Sequence, residues 1–166
     1  MKDWQKNMYK ISLLFLLVFL ACKQNSKQPL AEEISAINLK KGAIILCGPP
    51  DKEVGTVEFM ITGGEKVRKE FNFATALLHS FEYEEAEKAF AKIIEEEPGC
   101  AMAWWGVAMC NYHPLWTPPE EPELKKGSKA LDIARSIGQK TKRESDSIES
   151  LAIFYKDWDK VDYRAR

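Results

Sequence analysis

Apolar side chains recur every three or four residues in two consecutive stretches between positions 67 and 93. This spacing places them on one face of a helix, with polar residues on the opposite side. The apolar positions of the first stretch are Val67, Phe71, Ala74, Leu78 and Phe81. Those of the second are Tyr83, Ala86, Phe90 and Ile93. The pattern predicts two amphipathic helices joined by a tight turn, and Pro98, which has no N–H to donate, ends the second helix.

Helix starts are indicated by a Thr-x-x-Glu pattern that begins at Thr62, Thr117 and Thr141. In such a capping box the threonine oxygen accepts a free N–H of the first turn, and the glutamate accepts the N–H of the threonine. The three boxes predict helices that begin near positions 63, 118 and 142. Periodicity predicts two more helices, over about 83–97 and 101–111. Gly138 is the predicted C-cap of the helix that begins near 118.

Two stretches before these helices have a different pattern. Residues 41–47 are mostly apolar, and residues 54–61 alternate between apolar and polar side chains. Alternation with a period of two is typical of a half-buried strand. The sequence between them, Gly-Pro-Pro-Asp, predicts a turn. We therefore expect either a small hairpin or an irregular, strand-like flap over residues 41–64, packed on the first helix pair.

Residues 1–22 are predicted to lie outside the fold. Three lysines precede the apolar run from Ile11 to Ala21, which is too short to span a bilayer as an ordinary helix. The run ends in Phe-Leu-Ala-Cys, which resembles the lipobox of bacterial lipoproteins, where the thiol of the cysteine is acylated and its amine is freed by signal cleavage. The resemblance implies a signal peptide over 1–21, a lipid such as palmitate on Cys22 and a polar tether over 22–40. A plain secretory signal and an uncleaved anchor are the alternatives.

The helix pair itself has the size and residue pattern of a known repeat. A helix–turn–helix unit of about 34 residues resembles a tetratricopeptide repeat, which stacks into a solenoid. The residues that carry this resemblance are Tyr83, Ala86, Phe90 and Pro98 in one copy and Trp104 and Ala108 in the next. The segments Leu77–Ala86, Ala101–Met109 and His113–Trp116 are similar to those of a subgroup of bacterial tetratricopeptide proteins.

The resemblance implies an all-α superhelix over residues 65–166. Its repeats are expected at 65–98 and 99–138, with an incomplete one at 139–166. Residues 156–161 look like the turn and start of a further helix, and solenoids need a polar capping helix at their end. The chain is therefore expected to be the N-terminal part of a longer solenoid.

Charge and reactive residues narrow the function classes. The 24 basic and 25 acidic residues give a net charge of −1 without a basic block, so we expect no nucleic-acid partner. The 4 cysteines and 2 histidines lack the spacings of a metal site, and no third group completes a nucleophilic pair. The cysteines other than Cys22 are expected to be small buried hydrophobes, with a disulfide of Cys47 as the alternative. We therefore expect no metal, no cofactor and no enzymatic activity.

The resemblance implies a binding protein of the bacterial cell envelope, on its periplasmic or outer side. Stacked helix pairs form a concave surface lined by the first helix of each pair, and such surfaces hold a peptide or helix of another protein. The expected contact residues are Asn72, Thr75, His79, Asn111, Tyr112 and Trp116. The first hypothesis is a lipid-anchored scaffold for protein–protein interaction. The alternative is a lipoprotein of an uptake system that binds a solute or glycan on Tyr112 and Trp116.

Overall fold

The protein is described by a computed structural model over residues 28–46, 54–112 and 117–165, and all regular secondary structure in these ranges is helical. The expectation of an all-α fold is therefore confirmed for the described part. The helices are α1 (Ala31–Ser35), α2 (Glu65–His79), α3 (Tyr83–Glu96), α4 (Ala101–Cys110), α5 (Glu121–Ser136) and α6 (Lys142–Tyr155). A short 3₁₀ helix, Tyr163–Ala165, follows them.

Helices α2 to α6 pack in the order of the chain. Each contacts its successor, and in addition α2 contacts α4, and α4 contacts α6. The alternate helices α2, α4 and α6 therefore lie in a row, and the side they share is named the α2/α4/α6 face below. Between consecutive helices the core is closed by side chains with no exposed surface, among them Phe71, Ala86, Phe90, Trp104 and Ala108.

Two glycines allow neighbouring helices to approach closely. A Cβ added at Gly106 on α4 would lie 2.5 Å from the ring of Phe90 on α3. At Gly127 on α5 an added Cβ would lie 2.3 Å from the ring of Tyr155 on α6. The hydroxyl of Tyr155 donates to the carbonyl oxygen of Ala108 at 2.7 Å, which ties α6 to α4. Each ring thus fills the space beside a glycine of the neighbouring helix, where any larger side chain would overlap it.

Only one of the three predicted threonine caps forms. At the start of α6 the N–H of Glu144 donates to the hydroxyl of Thr141 at 3.2 Å, and the N–H of Thr141 donates to the Glu144 carboxylate at 2.6 Å. The prediction for α2 is wrong, because this helix begins at Glu65 and Thr62 makes no bond to its first turn. Thr62 instead bonds to Glu144, so a long-range contact replaces the local cap.

The ends of α5 also differ from the prediction. The N–H of Glu120, three residues beyond Thr117, donates to the Glu123 carboxylate at 2.8 Å, and the helix begins after Glu120. A glutamate thus accepts a free N–H at the start of the helix, but it does so three residues later in the chain than predicted. At the other end Ile137 is the C-cap, in an extended conformation, so Gly138 does not have the predicted role.

The predicted hairpin is not found among the described residues. Residues 41–46 and 54–61 have no strand pairing, and the predicted turn between them lies outside the described ranges. The alternative was an irregular flap packed on the first helix pair. Both segments are irregular, but Phe59 of the second contacts α4 as well as α2. Helix α1 lies within residues 22–40, where the sequence indicated a polar tether.

Candidate functional site

A segment of the chain lies across the α2/α4/α6 face. This segment, residues 54–62, is named the strap, and its side chains alternate in burial. Phe59 and Ile61 are partly and fully buried, whereas Glu58 and Met60 are exposed to solvent. Alternation of this kind is characteristic of extended backbone. The strap therefore has the side-chain pattern of a strand, but helices supply the apolar surface on which it packs.

Phe59 is the side chain through which the strap contacts all three helices of the row. The centroid of its ring lies 5.7 Å from that of Phe71 on α2 and 6.2 Å from that of Trp105 on α4. The guanidinium carbon of Arg143 on α6 lies 4.5 Å from the same centroid, which is the geometry of a cation–π contact. One aromatic ring thus occupies a slot with an aromatic residue on two sides and a cation on a third.

The backbone of the strap is bound by two polar side chains. The N–H of Phe59 donates to Oδ1 of Asn72 on α2 at 3.0 Å. The N–H and the hydroxyl of Thr62 both donate to the carboxylate of Glu144 on α6, each at 2.6 Å. Asn72 was predicted to face a ligand, and in this structure it binds an extended segment of its own chain.

The surroundings of Glu144 favour the ionised form of its carboxyl. It is 2 % exposed, and burial alone raises the pKa of its carboxyl. Hydrogen bonds from Thr62 and Thr141 outweigh the burial and lower the pKa of Glu144 below its ordinary value. The carboxylate is a fixed negative acceptor at the point where the strap meets α2.

Thr75, Asn111 and His79 were also predicted to contact a ligand, and two of the three are buried. Thr75 is buried, and its hydroxyl donates to the carbonyl oxygen of Phe71 at 2.8 Å. Asn111 is also buried and donates to the carbonyl oxygen of Val107 at 2.8 Å. His79 is exposed at the end of α2. The side chains of Thr75 and Asn111 are thus used inside the fold rather than on a groove.

The aromatic platform predicted for a glycan is only partly described. The ring of Tyr112 packs edge-on against Phe154, with 4.4 Å between centroids. Trp116 and His113 lie outside the described residues, and so does Cys22, the predicted lipid attachment site. No observation on the described residues favours the glycan hypothesis over the scaffold hypothesis.

The residues on which the resemblance to a repeat rests lie mostly in the core. Phe90 and Trp104 are fully buried, and the indole N–H of Trp104 donates to the carbonyl oxygen of Pro98 at 2.9 Å. Ala86 and Ala108 have no exposed surface, and Tyr83 is partly buried at the start of α3. These residues hold the helices at the spacing that brings α2, α4 and α6 into one row.

A buried polar hub is centred on Glu87 of α3, and the sequence pattern did not predict it. The carboxylate of Glu87 is 1 % exposed and accepts hydrogen bonds from three parts of the chain. The donors are the backbone N–H of Lys40 at 2.9 Å, Asn111 Nδ2 at 3.1 Å and Lys126 Nζ at 2.9 Å. A cleft of about 440 Å³ beside it is lined by further glutamates and by Cys110. Glu87 therefore fixes α4, α5 and the segment before the strap against α3.

The thiols in this core are not suited to nucleophilic attack. Burial raises the pKa of Cys100 to about 11 and raises that of Cys110 well above its ordinary value. A thiol with a raised pKa stays protonated at neutral pH and reacts slowly. Within the three described ranges no group of His, Cys, Asp and Glu side chains is placed to hold a metal ion.

Comparisons with protein-family models, with curated proteins and with solved structures give no match. The helices of the described part are too short or too polar to cross a bilayer.

Proposed function

We propose that this chain is a lipid-anchored scaffold of tetratricopeptide type in the bacterial cell envelope, and that it binds another protein through the α2/α4/α6 face. The observation that supports the proposal is the strap. The face holds an extended polypeptide by an aromatic slot and by a side-chain amide that accepts a backbone N–H. A surface that binds one extended segment has the chemistry to bind another.

The stacking of the helices supports the repeat type. In a tetratricopeptide solenoid the first helix of each pair contacts the first helix of the next pair, in addition to its own partner. Here α2, α4 and α6 have those contacts, and small residues stand where helices approach closely. The lipid anchor is proposed from the sequence around Cys22 alone.

Position-specific cross-linking tests the binding face. A photoreactive phenylalanine analogue replaces Met109, one turn beyond Trp105 on α4, or His79 on α2, and the cells are irradiated. The control position is Lys129, exposed on α5. We expect Met109 and His79 to cross-link the same protein and Lys129 not to cross-link it. That protein, once identified and purified, should bind the parent chain in solution. Equal adducts from Lys129, or none from the face, would refute the proposal.

Metabolic labelling tests the anchor separately. Cells that express the parent chain should incorporate an alkyne-labelled fatty acid into it and retain it in the membrane fraction. A Cys22→Ala variant should lose both the label and the membrane retention, because its thiol is the proposed acylation site. Retained label in this variant would place the lipid elsewhere.

A further inference from the structure

We infer that the strap occupies in cis the site that the partner protein takes, and that the partner must displace it with an extended segment carrying an aromatic side chain. This inference rests on the proposed function, because it assigns a ligand class and a regulation to the same face. In the state described here the face is closed by the chain itself.

The contacts of the strap define what a competing segment needs. Asn72 accepts a backbone N–H, so it recognises extended main chain whatever the sequence. The slot between Phe71, Trp105 and Arg143 recognises an aromatic ring on the residue whose N–H binds Asn72. Glu144 accepts both an N–H and a hydroxyl from the residue three positions later. The chemistry fits an extended peptide with an aromatic residue followed at the third position by serine or threonine.

The strap is attached in a way that allows it to leave. Its hydrogen bonds to helical residues in the described part come from only two residues, Phe59 and Thr62. Within the described residues it has no ladder of strand bonds, and Glu58 and Met60 already face solvent. At its end Gly63 has φ +138°, a conformation that residues with a Cβ rarely adopt, so the chain turns sharply there into α2. The helices do not need to separate for the strap to open.

The fit of the strap also leaves one donor without an acceptor. The indole Nε1–H of Trp105 is buried and has no hydrogen-bond acceptor among the described residues. A buried donor without an acceptor is unfavourable. A partner segment that places a carbonyl or hydroxyl oxygen there gains a hydrogen bond that the strap lacks. The strap therefore fills the site but leaves the Trp105 N–H without a hydrogen bond.

A trans-binding experiment tests the inference. The probe is a fluorescein-labelled synthetic peptide with the sequence of residues 54–62, titrated with the full chain and followed by fluorescence anisotropy. We expect a Phe59→Ala variant to bind the probe at least about tenfold more tightly than the parent, because the weakened strap no longer competes. A Met60→Ala variant is the matched control, since Met60 is the next residue but is 68 % exposed, and it should bind like the parent. A probe with alanine at the phenylalanine should not bind the Phe59→Ala variant.

Hydrogen exchange of the parent chain tests the inference without a variant. It therefore applies even if Phe59→Ala does not fold. We expect the Phe59 and Thr62 amides to exchange at least about tenfold faster than the amides in the centre of α4, because the strap opens while the helices stay folded. Equal protection of the strap and α4 would overturn the inference, as would a folded Phe59→Ala variant with no gain in probe affinity.

The two proposals fail in different ways. If Met109 and His79 cross-link a partner while the strap shows the protection of the core, the scaffold stands and the displacement is refuted. If the probe binds the Phe59→Ala variant but no partner is cross-linked in cells, the displaceable strap stands and the scaffold function is refuted.

Discussion

Replacement of Glu87 should show how much of the stability depends on one buried carboxylate. The perturbation is Glu87→Ala, which removes both acceptor oxygens and the negative charge while leaving the helix propensity of α3 intact. Three donors are then left without their acceptor at once, on Lys40, Asn111 and Lys126. Because Glu87 is 1 % exposed and Asn111 3 % exposed, water does not replace the lost acceptor at the Asn111 amide unless the packing opens.

The expected cost depends on the kind of interaction that the substitution removes. Removing one partner of a buried ion pair costs about 3–5 kcal/mol, because the remaining charge stays desolvated and unpaired. The Lys126 side chain is 15 % exposed, so its ammonium regains some water and the cost lies near the middle of the range. We expect the free energy of unfolding to fall by about 4 kcal/mol, a large part of the roughly 5–15 kcal/mol typical of a domain. Glu87→Gln should cost about half as much, since its amide keeps one acceptor oxygen.

The assay is urea unfolding of the chain followed by far-ultraviolet circular dichroism. The free energies of parent and variants are compared where the slopes of their unfolding transitions agree. Lys126→Met and the double variant Glu87→Gln/Lys126→Met complete a double-mutant cycle. The double variant should be more stable than the sum of the two single effects predicts, because no buried charge is left unpaired. A decrease below about 1 kcal/mol for Glu87→Ala, or strict additivity in the cycle, would refute the assignment of Glu87 as a buried hub.

Three further predictions follow from the described contacts. Gly106→Ala should lower the free energy of unfolding by about 2 kcal/mol despite a gain of about 1 kcal/mol in helix propensity, since its Cβ would overlap the ring of Phe90. Gly55→Ala, with no atom near the added Cβ, should be neutral in the same unfolding assay, and equal effects would contradict the packing argument. The pKa of Glu144 is lowered on folding, so its stabilisation is present above its ordinary value of 4.5 and is lost as the pH falls through the folded pKa. A Glu144→Gln variant should therefore be less stable than the parent at neutral pH and nearly equal to it in acid, and a difference independent of pH would argue against an ionised Glu144. Cys100, whose pKa is raised by burial to about 11, should be alkylated by iodoacetamide only in denaturant, which peptide mass spectrometry reports.

The helices were predictable because each buries a face whose period is visible in a single stretch of sequence. Helix α3 is observed at Tyr83–Glu96 and α6 at Lys142–Tyr155, within a residue or two of the expectation. Their apolar positions are close together in sequence, so no knowledge of the rest of the fold is needed to recognise them. The threonine cap of α6 was predictable for the same reason.

Long-range partners explain the errors. Thr62 has the sequence of a helix cap, but it bonds to a carboxylate 82 residues away. A cap pattern specifies which local bonds are possible and contains no information about a competing acceptor from another helix. The period-two pattern of the strap correctly predicted a half-buried extended segment, but it does not say whether a strand or a row of helices covers the buried side.

The candidate site was predictable only in part. Asn72 was expected to contact a ligand, and it lies on the α2/α4/α6 face, where its Oδ1 accepts the N–H of Phe59 in the strap. Thr75 lies on the same helix but bonds to its own backbone, an option that threonine always has and that periodicity does not resolve. Phe59 and Arg143, which complete the aromatic slot, come from parts of the chain whose proximity depends on the tertiary fold.

The bond between Thr62 and Glu144 has a consequence for how the chain acquires its structure. In a stack where each helix touches only its neighbours, contacts are local, and the first hairpin can form while later ones are still being synthesised. Here the residues just before α2 find their acceptor only after α6 has been made, across a sequence separation of 82. Such long-range closure slows folding. The strap should therefore be the last segment to pack against the helices of the newly made chain. Until it does, the aromatic slot is open to other polypeptides.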